Sequence, residues 1–444
     1  MNVLHVSLGL PPLRTGGLTR YCAELMEAQV AAGVRVSLLF PGRFLPGNVR
    51  IRYGMWHGIE TCELINPLPV ALTYGIAEPN AFTMPCPDVR AFEQLLEDFE
   101  PDVVHVHSFM GIYQEFFQIV KAASIPMVFT THDYYPLCPR CTFIDGMGQT
   151  CATGASALSC SACCRGGMTS KTSIIMQSHA YSVLKSSKIL KRLALVVRGN
   201  MAHKAQSASS ILASAGEVKS YQSLLDYNKT IFELFDLILA NSSMSEAVYR
   251  SIFPMMAYEL VHISHAGLTR DFKSIRWRGA KETFVIGYFG GNKEYKGFGT
   301  LAAAARMLHE AGVNFELRLF GDDYPNLNVP EAHSFGRVAP DDILGILSGL
   351  DVVVVPSICY ETFSFTVLES ICEGVPVLCS DAVGASELID SKCIFPAGDS
   401  LSLAGKLQQA ARLGIARASI PSDYPLGVDE QVMRVDSIYK EVCR

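Results

Sequence analysis

The sequence predicts an α/β protein with two Rossmann-like, doubly wound domains that face each other across a cleft. Two observations support this fold class. Short apolar runs alternate with segments of helical periodicity, and the alternation occurs in two series separated by a charge-rich stretch near residues 269–281. Strands that alternate with helices form parallel sheets, and a length of 444 residues is ordinary for two such domains.

The first series predicts an N-terminal domain over residues 1–268. It opens with an apolar run at 3–8, a turn that contains Gly16 and Gly17, helical periodicity over 18–32 and a second apolar run at 34–40. Strand, glycine turn, helix and strand in this order form a βαβ unit. The other predicted elements of this series are a helix over 111–123 and strands at 102–107, 126–130, 237–240 and 260–264.

The second series predicts a C-terminal domain over residues 279–426. Its predicted strands lie at 284–289, 315–320, 351–355 and 375–379, and its predicted helices lie at 297–311, 341–348 and 365–372. The last stretch, 427–444, has apolar residues at helical spacing over 428–442. We expect this final helix to pack back on the N-terminal domain.

Composition excludes several classes of protein. Hydrophobic residues make up 49% of the chain, enough apolar surface to offset the entropy of ordering, so a disordered chain is excluded. No stretch of apolar residues is long enough to predict a membrane-spanning helix. No basic leader precedes the first apolar run, so we expect a first strand and no signal peptide. The net charge of −6 does not favour a nucleic-acid partner.

Charge is unevenly distributed along the chain. Residues 146–216 contain no Asp or Glu and eight Lys or Arg, whereas the rest of the chain has a net charge of −14. Drawn as a helix, Lys185, Lys188 and Arg192 fall on one face, and apolar residues fall on the opposite side. This pattern suits an anionic membrane surface or a lipid-linked acceptor. It equally suits a surface helix whose apolar side packs on the N-terminal domain, and both interpretations stay open.

Five motifs occur in an order and spacing that point to one family. They are GGLTRY at 16–21, PDVVHVHS at 101–108, THDYYPLCPR at 131–140, GYFGGNKEYKG at 287–297 and YETFSFTVLES at 360–370. With these motifs the chain resembles the family-4 retaining glycosyltransferases, which belong to glycosyltransferase group 1, over nearly its whole length. The resemblance implies the GT-B architecture of two Rossmann-like domains, in which the N-terminal domain binds the acceptor and the C-terminal domain binds the nucleotide sugar.

Lys296 is the expected catalytic cation of the donor site. It comes just before the glycine that opens a predicted helix, where an ammonium group and free backbone N–H groups suit a departing diphosphate. Gly290 and Gly291 precede it and would let the donor approach closely. The resemblance implies that this lysine contacts the diphosphate. Family members usually have an arginine at the position of Gly291, so Lys293 or another basic residue is expected to replace it.

Glu361 and Glu369 are expected to have different roles. We expect Glu361 in a loop and Glu369 two turns inside a helix that starts at Ser364, Phe365 and Thr366, whose N–H groups are available to the donor phosphates. The resemblance implies that Glu361 is catalytic and contacts the donor sugar. It also implies that Glu369 binds the ribose hydroxyls, for which a carboxylate offers two acceptor oxygens.

Residues at the carboxyl ends of strands in the first domain are expected to complete the site. The resemblance implies a catalytic role for His132, which would face the donor sugar and the acceptor. His107 ends the preceding predicted strand and Arg20 lies one turn into the first helix, so both are candidate acceptor-binding residues. The loop of Gly16 and Gly17 is a candidate for contact with the donor phosphates.

A cysteine-rich and basic insertion is expected at about 138–216. Six of the 14 cysteines fall within residues 138–164, and two C-x2-C pairs are separated by 18 residues, a spacing typical of zinc ribbons. The resemblance makes Cys138, Cys151, Cys160 and Cys163 the first candidates for a structural zinc site, with Cys141 in reserve. Reduced thiols without a metal are the alternative.

The expected reaction is transfer of a hexose-type sugar from a nucleotide-diphosphate sugar to a glycan or lipid-linked glycan, with retention and without a catalytic metal. Synthesis of cell-surface polysaccharide in the cytoplasm, with peripheral binding to the inner membrane face, is the expected setting. One alternative is an NAD-linked oxidoreductase or epimerase, which the missing G-x-G-x-x-G motif disfavours. The other is a non-catalytic, zinc-stapled, membrane-associated relative, which Lys296, Glu361 and Glu369 disfavour.

Overall fold

A computed structural model describes residues 1–145, 148, 150–151, 156–178, 213–268, 283–322, 324, 327–339, 342–414, 424 and 427–444. The chain divides into two compact units. The first comprises Met1–Ala240, Glu246–Val261 and Asp429–Arg444, and the second comprises Asn241–Ser245 and His262–Val428. Each unit is built on its own sheet, so the predicted α/β fold with two parallel-sheet domains is confirmed.

An eight-stranded sheet forms the centre of the first unit. Its strands are β1 (Asn2–Val6), β2 (Arg35–Pro41), β3 (Arg50–Trp56), β4 (Ile59–Ile65), β5 (Val103–Val106), β6 (Met127–Thr130), β7 (Leu237–Ala240) and β8 (Tyr258–Leu260). They lie in the order β3-β4-β2-β1-β5-β6-β7-β8, and the β3–β4 pair is antiparallel. His5 of β1 pairs in register with His105 of β5, which places two histidines side by side in the middle of the sheet.

Helices of the first unit connect these strands. They are α1 (Gly17–Ala31), α2 (Arg90–Phe99), α3 (Gln114–Ala122), α4 (Ala157–Cys163), α5 (Ser170–Met176), α6 (Ala215–Phe232) and α7 (Ser243–Ile252), of which α7 begins within the residues of the second unit. Helix α6 starts with a capping box in which Ser214 and Glu217 exchange hydrogen bonds between side chain and backbone. None of the described helices has the length and apolar character needed to cross a membrane.

A six-stranded, entirely parallel sheet forms the second unit. Its strands are β9 (Phe284–Tyr288), β10 (Phe315–Phe320), β11 (Ala332–Gly336), β12 (Val352–Val355), β13 (Val377–Ser380) and β14 (Ile394–Phe395), in the order β11-β10-β9-β12-β13-β14. Its helices are α8 (Phe298–Glu310), α9 (Ile343–Leu347), α10 (Phe365–Cys372) and α11 (Ser400–Leu413). Apolar residues of α8 and α11, such as Leu301 and Leu403, pack on Ile286 and Leu317 of the sheet.

The last helix, α12 (Val428–Val442), has buried residues at helical spacing, including Val435, Ile438 and Tyr439. Residues Asp429–Arg444 belong to the first unit. Helix α12 therefore supplies side chains to the interior of that unit although it comes at the end of the chain.

Most predicted elements lie within three residues of the observed ones. The structure differs from the prediction in the position of one strand, in one strand pair and in the place of Glu369 within its helix. The predicted strand at 260–264 is instead β8 at Tyr258–Leu260, because the chain leaves the first sheet at Val261. The antiparallel pair β3 and β4 was not predicted. Glu369 lies just over one turn inside α10, not two, because the helix begins at Phe365.

Candidate functional site

Lys296 is held at a sharp turn between β9 and α8. A 3₁₀ turn ends at Lys296, and Gly297 then has a φ of 74° before α8 begins. A Cβ atom at Gly297 would lie 1.7 Å from the carbonyl oxygen of Pro356, so the close approach of these two loops requires glycine. Tyr288 donates its hydroxyl to the carbonyl oxygen of Lys296 at 3.3 Å. The backbone at Lys296 is therefore fixed from both sides.

Lys296 and Glu361 form an ion pair. The distance from Nζ of Lys296 to Oε1 of Glu361 is 2.9 Å, and the two side chains are 30% and 14% exposed. Burial lowers the pKa of Lys296, but the charge and hydrogen bond of Glu361 raise it more, so the pKa lies above its ordinary value. The lysine is therefore charged at neutral pH, and two predicted catalytic residues are in direct contact.

Backbone hydrogen bonds position Glu361 on the loop before α10. Its N–H donates to the carbonyl oxygen of Ala382, and its own carbonyl oxygen accepts from the N–H of Gly384, both at 2.9 Å. Ser357 donates its hydroxyl to the carboxylate of Glu361. A Cβ atom at Gly384 would lie 2.2 Å from the carbonyl oxygen of Thr362, so this loop also needs a glycine. The carboxylate thus has a defined position beside the lysine.

Helix α10 begins with backbone N–H groups that no side chain caps. Ser364 is its N-cap residue, and the Ser364 side chain makes no capping hydrogen bond. Phe365 and Thr366 form the first helical positions, at the end of the helix that has the positive dipole. A helix start of this kind is chemically suited to bind an anionic group such as phosphate.

Glu369 is buried and lies beside a histidine that sequence reasoning missed. The distance from Oε1 of Glu369 to Nε2 of His265 is 3.1 Å. Nδ1 of His265 accepts a hydrogen bond from the N–H of Gly267 at 3.2 Å, so a neutral ring has its proton on Nε2, facing the carboxylate. The ring of Phe365 meets the imidazole edge to face at 5.2 Å between centroids. In the sequence, His265 is recognisable only as a histidine that follows the predicted strand at 260–264. That position alone does not identify Glu369 as its partner.

A second histidine–glutamate pair occurs in the same unit. His262 and Glu387 are 3.2 Å apart between Nε2 and Oε1, and the N–H of Ser243 donates to the other carboxylate oxygen at 3.0 Å. Burial raises the pKa of Glu387, but its hydrogen bonds to His262 and Ser243 lower it more, so the pKa lies below its usual value. This pair is more exposed than that of His265 and Glu369 and serves as a comparison for it.

The glycine pair after β9 lies next to an acidic and a basic side chain. Gly291 has a φ of 70°, and a Cβ atom there would lie 2.7 Å from Oδ2 of Asp322. Oδ1 of Asp322 is 3.6 Å from Nη2 of Arg337, which follows β11 and is 84% exposed. At Gly290 a Cβ atom would lie 2.3 Å from the hydroxyl oxygen of Tyr288. Asp322 therefore lies beside Gly291 and also pairs with a guanidinium group from another loop.

His132, in the first unit, is hydrogen-bonded to a series of buried polar side chains. Its Nε2 is 3.1 Å from Nδ1 of His107, and Nε2 of His107 is 2.9 Å from Nδ1 of His5. Nε2 of His5 in turn is 2.8 Å from Oε1 of Gln29. His5 and His107 are fully buried, whereas His132 is partly exposed. The ring of Tyr21 packs on His132 at 4.8 Å between centroids.

Burial keeps these histidines neutral. Desolvation lowers the pKa of His5 to about 4 and the pKa of His132 to about 3, and it lowers the pKa values of His105 and His107 well below their ordinary value. Ring nitrogens of His5, His105 and His107 lie within 4.8 Å of one another, a spacing at which three neutral imidazoles could hold a metal ion. Both nitrogens of each of these rings already have a hydrogen-bond partner.

His107 lies in the interior of the first unit. The side chain has no exposed surface, and its two ring nitrogens contact His5 and His132. These contacts connect it to His132, which is partly exposed. The acceptor-binding role of His107 stays a prediction.

The glycine loop and Arg20 lie at the start of α1. Gly16 is the N-cap residue, with a φ of 125°, and α1 begins at Gly17 without a side-chain cap and without an acidic residue in its first turn. Arg20 pairs with Glu24 one turn further along, with 2.8 Å between Nε and Oε1. The helix start is thus open to an anion, whereas the arginine already forms an ion pair.

The cysteines of the insertion are free thiols. Cys138 and Cys160 are buried, and Cys151 and Cys163 are partly exposed. Within the part of the chain that the structure describes, His5, His105 and His107 form the one group of three or more possible metal ligands whose atoms lie within 4.8 Å of one another. The four predicted zinc ligands therefore do not lie together at that spacing. A hydrogen bond from Cys164 lowers the pKa of Cys163 to about 7, against the effect of burial. The zinc site stays a prediction.

The predicted basic face comprises three residues of the insertion. Lys185, Lys188 and Arg192 lie outside the described residues. Its two interpretations, membrane binding and ordinary packing, therefore both remain predictions.

Family models match both halves of the chain. Residues 283–412 match the model described as glycosyl transferases group 1, and residues 16–206 match the model described as glycosyl transferase 4-like domain. Together the two matches span more than two thirds of the 444 residues. No protein of curated function matches this sequence.

Solved structures share the fold at low sequence identity. Sucrose-phosphate synthase from Thermosynechococcus elongatus is 16% identical, with a TM-score of 0.52 over 99% of this chain and 96% of its own. Anabaena Alr3699/HepE, solved with UDP and glucose, is 14% identical, with a TM-score of 0.53 over 99% of each chain. A trehalose-phosphate synthase from Burkholderia xenovorans is 11% identical, with a TM-score of 0.52 over 100% of this chain and 96% of its own. The two matched domains and this shared fold place the chain in the group 1 glycosyltransferases of GT-B architecture.

Proposed function

We propose that the protein transfers a hexose-type sugar from a nucleotide-diphosphate sugar to a glycan or lipid-linked glycan, with retention at the anomeric carbon. The observation on which the proposal rests is the ion pair of Lys296 and Glu361, 2.9 Å apart. The two residues follow β9 and β12, which are neighbours in the second sheet. Ligands of α/β sheets bind beyond the carboxyl ends of the strands, where these loops lie.

The second unit supplies the groups that would bind the donor. Lys296 would stabilise the negative charge that develops on the leaving diphosphate, and the open start of α10 at Ser364, Phe365 and Thr366 would bind the same phosphates. Glu369 would bind the ribose hydroxyls. Because a carboxylate has two oxygens, one can stay beside His265 while the other accepts hydrogen bonds from the ribose.

Arg337 is the proposed second phosphate cation. Its guanidinium lies 3.6 Å from Asp322, whose other carboxylate oxygen lies beside Gly291. A side chain at position 291 would crowd that carboxylate and would need a φ of 70°, whereas Arg337 pairs with the same carboxylate from the loop after β11. Lys293, the alternative cation, is exposed like Arg337, and its ammonium group lies over the ring of Tyr295.

The proposed chemical step is attack of an acceptor hydroxyl on the same face of the sugar that the diphosphate leaves. The bond between the anomeric carbon and the phosphate oxygen breaks with its electron pair on the diphosphate. The acceptor oxygen forms the new glycosidic bond, and its proton passes to the departing phosphate oxygen. Lys296 lowers the energy of this step because it stabilises the phosphate charge more in the transition state than in the bound donor.

His132 would act from the first unit. It is neutral, because burial lowers its pKa to about 3, and it is partly exposed at the end of β6. A neutral imidazole can accept a hydrogen bond from a hydroxyl of the donor sugar or of the acceptor. We propose that His132 orients that hydroxyl for the step, and that the open start of α1 at Gly16 and Gly17 contacts the donor phosphates.

A uridine nucleotide is the first donor to test, since the Anabaena protein of the same fold was solved with UDP and glucose. The decisive assay follows slow hydrolysis of the donor with water as the acceptor, which needs no knowledge of the natural acceptor. Early proton NMR spectra should show the released sugar with the anomeric configuration of the donor. A first product of inverted configuration would contradict the proposed retention.

We further propose that the protein works at the cytoplasmic membrane surface in polysaccharide synthesis. The support is the charge pattern of residues 146–216, with eight basic and no acidic side chains. Each basic residue near an anionic bilayer contributes about 1 kcal/mol, so three on one face would raise binding roughly a hundredfold. The protein should sediment with anionic vesicles at low salt and be released as salt rises. A variant with Lys185, Lys188 and Arg192 changed to glutamine should stay in solution, and wild-type protein that ignores such vesicles would contradict the membrane proposal.

A further inference from the structure

The loop between β1 and α1 contains a partly buried arginine. Arg14 is partly buried, whereas its two neighbours along the chain are exposed. Its backbone N–H donates to the carbonyl oxygen of Leu10 at 3.0 Å and closes a turn. Gly9 has a φ of 121°, and a Cβ atom there would lie 3.2 Å from Cγ of Arg14. The aliphatic part of the arginine is therefore packed against the backbone at Gly9.

The guanidinium group of Arg14 differs from those around it in having no partner. Among the residues that the structure describes, neither a carboxylate nor another acceptor pairs with it. Burial lowers the pKa of Arg14, and no charge or hydrogen bond opposes this effect. Each of the other partly buried arginines in the described part of the first unit has a partner: Arg20 with Glu24, Arg43 with Glu63, Arg165 with Glu217, and Arg140 with the carbonyl oxygen of Cys163.

An unpaired, partly buried cation costs free energy. Removing a charge from water is unfavourable unless a partner compensates for it, and an arginine cannot avoid this cost by losing its proton. Arg14 follows β1, so it lies at the carboxyl edge of the first sheet, where α/β domains bind their ligands. An anionic ligand at this edge would supply the missing partner.

We propose that Arg14 binds a phosphate group of a substrate. The planar guanidinium presents two parallel N–H groups that match two phosphate oxygens. This phosphate belongs either to a phosphorylated, lipid-linked acceptor or to the diphosphate of the donor. The proposal rests on the proposed glycosyl transfer and deepens it, because it names a charged group that the substrate bound at this loop carries.

Inorganic phosphate is the probe for this site. Thermal unfolding of the full-length protein is followed as phosphate replaces chloride at constant ionic strength. The unfolding temperature of the wild-type protein should rise with phosphate and give an apparent Kd. Arg14→Met should raise this Kd about 10- to 100-fold, the usual effect of losing a hydrogen bond to a charged group. Arg43→Met is the matched control and should keep the wild-type Kd, because Arg43 is already paired with Glu63.

Stability without phosphate provides a second readout, which a structural role would move in the opposite direction. Arg14→Met should be at least as stable as the wild-type protein, because it removes an uncompensated charge and keeps an apolar side chain. Arg43→Met should be less stable, because it breaks a pair with a buried carboxylate. A wild-type protein that does not respond to phosphate, an unchanged phosphate Kd in folded Arg14→Met, or a clearly destabilised Arg14→Met would overturn the proposal.

Competition distinguishes the two sources of the phosphate group. If Arg14 binds the acceptor, phosphate should still stabilise wild-type protein that is saturated with a nucleoside diphosphate, and Arg14→Met should remove that response. If Arg14 binds the donor, the nucleoside diphosphate should abolish the part of the response that depends on Arg14. Wild-type protein that responds to phosphate through Arg14 but turns over no nucleotide sugar would contradict the proposed function and would still support the phosphate site.

Discussion

Nζ of Lys296 lies 2.9 Å from Oε1 of Glu361, although the two residues come from different loops. The sheet topology explains the contact. Strands β9 and β12 are parallel neighbours, so the loops that follow them leave the same edge of the sheet. Gly297, which allows one loop to approach Pro356 in the other, brings the two side chains within reach. A cation and a carboxylate are thus fixed together at the edge where a parallel sheet binds ligands.

Lys296→Ala should lower turnover by about 10²- to 10³-fold, the usual effect of removing one group that stabilises charge in a transition state. The physical reason is that the leaving diphosphate loses its cation when the bond to the sugar breaks. Donor hydrolysis measured as release of nucleoside diphosphate checks it. Lys392→Ala, at an exposed lysine of the same unit, is the control. Turnover of Lys296→Ala within twofold of wild type would reject the assignment.

Glu369→Ala should mainly weaken donor binding. A hydrogen bond to a charged group is worth about 1.5–3 kcal/mol, which corresponds to a rise in donor KM of roughly 10- to 100-fold. The effect on kcat should be smaller, because the ribose is bound similarly in the ground and transition states. Steady-state kinetics separate the two parameters.

Glu387→Ala is the matched control for Glu369→Ala. Glu387 also pairs with a histidine, His262, at 3.2 Å in the same unit, so its loss tests the structural cost of breaking such a pair. Its donor KM should stay near the wild-type value. Equal rises in KM for both variants would show that Glu369 acts through stability and does not bind the ribose.

Acid should destabilise the first unit in a defined pH range. Above about pH 6.5 the histidines are neutral in both the folded and unfolded states, so they add no pH dependence. Below that value the unfolded chain binds protons that buried His5, His105, His107 and His132 do not, because burial lowers their pKa values. The free energy of unfolding should therefore fall as the pH drops from about 6.5 towards 4, where His5 itself becomes protonated in the folded state.

The slope of this acid effect can be measured. Burial raises the pKa of Asp133 to about 6, so in this pH range Asp133 loses a proton on unfolding while each of the four histidines gains one. The net uptake on unfolding is therefore up to about three protons. Urea unfolding of the first unit at several pH values should show a loss of up to about 4 kcal/mol per pH unit. His132→Gln should reduce the slope by about one proton, and His333→Gln, at an exposed position, should not. A flat profile between pH 6.5 and 4.5 would contradict the buried, neutral state of the cluster.

The purified protein should contain about one zinc ion per chain if Cys138, Cys151, Cys160 and Cys163 bind it as predicted. Elemental analysis under reducing conditions measures the metal directly. The double variant Cys160→Ser, Cys163→Ser should lose it, because two thiolate ligands are removed. The double variant Cys86→Ser, Cys443→Ser should keep it. Metal-free wild-type protein of normal stability would favour reduced thiols instead.

The alternating pattern of the sequence predicted most of the fold, for physical reasons. Buried parallel strands such as Val352–Val355 read as continuous apolar runs, and helices such as α12 have apolar residues at helical spacing. The antiparallel pair β3–β4 was missed because its turn is formed by His57 and Gly58, both at positive φ, and histidine is not a usual residue there. Exposed residues along β3 also weaken its strand pattern.

Sequence motifs named individual site residues but not the contacts between them. Lys296 and Glu361 lie in recognisable motifs, yet their ion pair depends on sheet order. His265 was missed because its partner, Glu369, lies far along the chain. The contacts of Gln29 with His5 and with Asp436 of helix α12 were missed for the same reason, since they arise only from tertiary packing.

Binding of the donor tests the central claim most directly. Thermal unfolding of the full-length protein should be measured with a panel of nucleotide sugars, their nucleoside diphosphates, and NAD. A glycosyltransferase donor site predicts that at least one nucleotide sugar and its nucleoside diphosphate raise the unfolding temperature, that Glu369→Ala weakens this effect, and that NAD has none. Stabilisation by NAD, with no response to any nucleoside diphosphate or nucleotide sugar, would contradict the account.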